Sequence, residues 1–83
     1  MRADIEEGFM VFIADGQDGI GSVRQLKRDT DELVVYIENA GDFVVPASAV
    51  AEVHSGKVIL NLHHLGADLR EAIRHARDSE YPH

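Results

Sequence analysis

The sequence predicts a mainly β fold: a small antiparallel barrel-like sheet of five or six short strands, followed by one C-terminal amphipathic α-helix. Three observations lead there. Apolar runs of strand length alternate with turn signals from Phe9 to Leu62. Beyond Leu62 the hydrophobic period changes to that of a helix. With 83 residues and no cysteine, the chain has room for one domain and no disulfide to substitute for a core.

Taken in order, Phe9 to Ile13 is an apolar, aromatic-containing run that stops at Asp15-Gly16-Gln17-Asp18-Gly19. Gly and Asp accept the positive φ of tight turns, so a reversal is expected there. The same stretch fails as a calcium loop, because Gln17, Gly19 and Leu26 occupy positions where the EF-hand needs oxygen ligands. Ile20, Val23 and Leu26 then recur three residues apart, a helical spacing. Gly19, Gly21 and Ser22 disfavour a helix, and a bulged strand is the better fit.

Leu33 to Ile37 is the clearest strand, β-branched and aromatic. Asp42 to Val45 pairs back on it across Asn39-Ala40-Gly41, and Pro46 forces that strand to end or to lie at an edge. Val50 to Val53 and Lys57 to Leu62 flank a second hairpin signal, His54-Ser55-Gly56, with Val58, Leu60 and Leu62 expected on one core face. The barrel is expected over about residues 5–62 and the helix over about 64–78. Leu65, Leu69, Ala72, Ile73 and Ala76 form the apolar stripe of that helix, and Pro82 forbids its continuation.

Charge and composition remove several classes of function. Fifteen acids against eight Lys and Arg give a formal charge of -7, which opposes nucleic-acid binding. At 45% hydrophobic residues the chain is too apolar for a disordered acidic tail. Met1 to Glu7 lacks the apolar core of a signal peptide, and no stretch approaches the roughly 18 apolar residues of a membrane span. A cytoplasmic location is the expectation. A core of this size is marginal, and homo-oligomerisation is one common remedy.

Gly16 followed by Ile20-Gly21-Ser22-Val23, then Val44-Val45-Pro46-Ala47-Ser48-Ala49-Val50, then Gly56-Lys57-Val58-Ile59-Leu60, resembles the PRC-barrel superfamily. That family is named for a domain of the photosynthetic reaction-centre H subunit, and a related domain occurs in a ribosome-maturation factor. The resemblance covers roughly residues 5–62. It implies a binding or scaffolding module with no catalytic residues to carry across.

Two constellations on the expected helix invite a chemical reading. His64, Asp68, Glu71 and His75 are separated by four, three and four residues, which on one helix puts them in a common sector. Imidazoles and carboxylates so placed suit a divalent metal such as zinc. The plainer alternative is a solvated face with weak pairs one turn apart. Arg70, Arg74 and Arg77 form a second stripe, suited to a carboxylate- or phosphate-bearing partner or simply to the helix C-terminus. Ser22, Ser48, Ser55 and Ser79 lack a nucleophile-elbow frame.

The expected function is a non-catalytic protein-interaction or scaffolding module, binding a protein partner or a second copy of itself and needing no cofactor. The alternatives are a ligand- or metal-responsive domain using His64, Asp68, Glu71 and His75, and, on superfamily analogy alone, a ribosome-assembly-related factor.

Overall fold

The structure is a computed structural model, and it describes residues 4–14 and 19–75. The expected reversal at Asp15 to Asp18, together with Ala76, Arg77 and Pro82, lies outside the described residues. Six strands form one sheet: β1 (Met10–Phe12), β2 (Gly21–Lys27), β3 (Glu32–Ile37), β4 (Gly41–Pro46), β5 (Val50–His54) and β6 (Lys57–Leu60). A 3-10 turn, Ala47–Ala49, joins β4 to β5; a second, Leu62–His64, precedes the helix α1 (Ala67–His75). Among the described residues no helix is long and apolar enough to cross a membrane.

The strand order is β4-β3-β2-β1-β6-β5, so β4 and β5, consecutive in the chain, are the two edges of the sheet. Laid flat, strands about 4.8 Å apart would separate these edges by roughly 24 Å. Only Ala47, Ser48 and Ala49 bridge them, a reach of at most about 14 Å. The sheet therefore curls into an open half-barrel. Val11, Val23, Leu33, Val35, Ile37, Val45, Val58 and Leu60 fill its inside. Ile5, Ala49, Leu65 and Leu69 join the same core.

The expected sheet was antiparallel throughout; the observed one is mixed. β1 and β6 run parallel, with Val11 opposite Val58 and Phe12 opposite Ile59. The reason lies at the Ala47–Ala49 turn, which is a corner and not a hairpin. β5 leaves it in the same sense as β4, and the β5–β6 hairpin then brings β6 in alongside β1. Phe12 and Ile59 are buried on the outer face, where the Lys57 ammonium sits 5.2 Å from the Phe12 ring.

The other strand expectations correspond to observed elements. β2 is a bulged strand, its register with β3 shifting between Val23 and Gln25, so Arg24 is the extra residue. Gly21 stands opposite both Val11 and Ile37, and a Cβ there would lie 1.7 Å from the Tyr36 carbonyl oxygen. Only glycine permits that approach. Ser55 (φ 53°) and Gly56 (φ 74°) make the two-residue turn between β5 and β6, where positive φ matches the strand twist. Leu62 departs from expectation: β6 ends at Leu60, and Leu62, in the second 3-10 turn, is 37% exposed.

Candidate functional site

The four proposed metal ligands do not share one helix. Asn61 accepts from the His63 amide through its side chain (3.0 Å), which caps the Leu62–His64 turn instead of an α-helix. The α-helical bonds begin only where the Arg70 amide donates to the Gly66 carbonyl (3.0 Å), and Asp68 lies in the first turn. The helix thus starts at Ala67, not near residue 64. His64 is held elsewhere, donating from Nδ1 to the Ser48 carbonyl oxygen (3.3 Å). Glu71 and His75 do meet, with Nε2 3.0 Å from Oε1. Among the described residues no group of three or more His, Asp or Glu is gathered as a metal ion would need.

Arg70 and Arg74 are brought together. They line a hollow of about 420 Å³ with Leu62, Ala67, Glu71 and Ile73. Arg74 also lies 3.6 Å from Glu71, an exposed pair of little energetic weight. Arg77, the third member of that stripe, lies outside the described residues.

A more developed site lies on the other side of the helix start, along β4. The antiparallel ladder between β3 and β4 pairs Leu33 with Val45, Val34 with Val44 and Val35 with Phe43. Beyond its end, the Ala47 amide donates to the Asp31 carbonyl (2.9 Å). Hydrogen-bonded and non-hydrogen-bonded pairs alternate in such a ladder. Counting from Ala47, residues 45, 43 and 41 bond to β3, whereas Asp42, Val44 and Pro46 turn their backbone groups toward the open edge. Val44 also presents its side chain to solvent, 51% exposed, while its neighbour Val45 is fully buried.

Beside this edge runs a groove of about 350 Å³, walled by β4 from Phe43 to Pro46 and by residues 65–69 at the entry to α1. Leu65 and Leu69 are buried core residues, so they fix that wall in place. Among the described residues, Asp68 is the only charged one lining the groove. At the far end of the edge, Asp42 is matched by the Arg24 guanidinium (3.3 Å), which the β2 bulge places 4.9 Å from the Tyr36 ring.

Pro46 was the sequence signal for this site, since a proline marks an edge strand. The groove itself needs residues 65–69 folded back beside β4, a contact across the chain that no local pattern announces. No family model, curated protein or solved structure matches the chain.

Proposed function

We propose that the chain is a non-catalytic protein-interaction module of the PRC-barrel type, which docks a partner along β4. The observation that carries this reading is the open β4 edge, with the Val44 backbone and side chain turned outward beside a groove. An exposed strand edge is a template for another strand, and main-chain hydrogen bonds there supply affinity while neighbouring pockets supply selectivity. The Arg70–Arg74 hollow is a secondary contact surface on the same terminal segment.

The test is retention of proteins from a lysate of the source organism on the immobilised chain. It is run with and without a chelator, and in parallel with a Val44→Pro variant. One protein retained with or without chelator, and lost on Val44→Pro, supports the module. Retention that needs the metal, or that survives Val44→Pro, overturns the β4 assignment, as does the absence of any retained protein.

A further inference from the structure

We infer that the occupant of the β4 groove is an extended, basic segment of a partner protein, which adds to the sheet as a seventh strand and sets a Lys or Arg side chain against Asp68. This rests on β4 being the docking edge, and it adds what the partner must carry.

The backbone pattern restricts the segment first. The edge offers the amides of Asp42 and Val44 and the carbonyls of Asp42, Val44 and Pro46; Pro46 has no N–H to give. An added strand must therefore donate at the Pro46 end and can exchange both bonds at Val44 and at Asp42. A proline in the middle of the segment is excluded on the same ground.

The side chains restrict it further. Every other one of its residues faces the groove, where Phe43 is half-buried while Val45, Leu65 and Leu69 are closed into the core. The positions beside Phe43 call for apolar side chains. Asp42 already has its counter-ion in Arg24, whereas Asp68 has no cation within ion-pair distance among the described residues. The chain as a whole carries a formal charge of -7, which attracts a cationic segment and disfavours a second, equally acidic copy.

The experiment is selection of a displayed random-peptide library on the immobilised full chain, repeated on Val44→Pro and Asp68→Lys. Val44 makes no ladder bond to β3, so proline there takes no hydrogen bond from the sheet, and equal thermal melts confirm that both variants fold. The expected peptides have alternating apolar residues, no central proline and an excess of Lys and Arg. Their affinity falls about tenfold on Val44→Pro, the loss of one strong ladder position, and the basic excess disappears on Asp68→Lys. Asp68 is exposed, so the second variant keeps the experiment decisive if the first does not fold.

Peptides lost on Val44→Pro but without a basic excess overturn the partner chemistry and leave the docking edge standing. Peptides indifferent to Val44→Pro, or none recovered, overturn both. Sedimentation of the chain alone adds a last outcome: a dimer that Val44→Pro dissociates makes a second copy the occupant and overturns the inference.

Discussion

The meander β2–β3–β4 and the seam between β1 and β6 are built on different information. In the meander each strand pairs with its chain neighbour, and a short turn sets direction and register together. The β3–β4 turn closes when the Ala40 amide donates to the Ile37 carbonyl (3.0 Å), with Asn39 at φ 66°. From Glu32 opposite Pro46 to Ile37 opposite Gly41 the ladder is continuous. At the seam no turn joins the partners. Val11 meets Val58 only because the rest of the sheet has curled and the Ala47–Ala49 corner has kept the sense of the chain. Turn chemistry thus determines local direction, and curvature determines the closing pair.

Gly21 is the point where the two regions join, so breaking it should have the largest effect. Gly21→Ala puts a Cβ 1.7 Å from the Tyr36 carbonyl oxygen, a backbone atom that cannot yield cheaply. The variant is expected to lose the cooperative thermal transition seen by circular dichroism, a destabilisation beyond about 4 kcal/mol.

A matched pair of cavities then separates the regions kinetically. Leu33→Ala in the meander should cost about 3 kcal/mol and Val58→Ala in the seam about 2 kcal/mol, because both side chains are fully buried. Local hairpins close before non-local pairs return their loop entropy. Leu33→Ala should therefore slow folding, and Val58→Ala should chiefly speed unfolding, in stopped-flow measurements across a urea series. Equal partition of both effects would erase the distinction drawn between the regions.

Leu69→Ala removes the one buried side chain of α1, at an expected cost of about 2 kcal/mol by urea unfolding. Hydrogen exchange should then rise in α1 before it rises in β3. The smallest change is Glu71→Gln, which weakens exposed contacts to Arg74 and His75. A shift within about 0.5 kcal/mol is expected from such pairs, read from the same unfolding curves.

The elements themselves were legible where side-chain pattern and turn residues agree. Leu33, Val35 and Ile37 alternate with half-buried neighbours, and Ser55-Gly56 supplies the hairpin turn. Even the three-residue step from Val23 to Leu26 has a cause, since the bulge at Arg24 shifts the inward parity of β2; Ile20 precedes the strand. The parallel seam was not legible, because nothing near β1 or β6 encodes the direction of a distant partner. The helix start was misplaced for a different reason. Asn61 and Gly66 favour a capped 3-10 turn and a late α-helix over the apolar period that spans them. That removed His64 from the stripe of Asp68, Glu71 and His75.

Pro46 also bears on how the protein survives at high concentration. A sheet edge that can accept one strand can in principle accept an endless series, each new strand exposing a fresh edge, and this is the route to fibrous aggregates. Here β4 runs only from Gly41 to Pro46, and its last position has an imide nitrogen with no proton to donate. Only Asp42 and Val44 present both an amide and a carbonyl for pairing. Such an edge captures a short segment and offers too little length for sheets to stack one chain upon another.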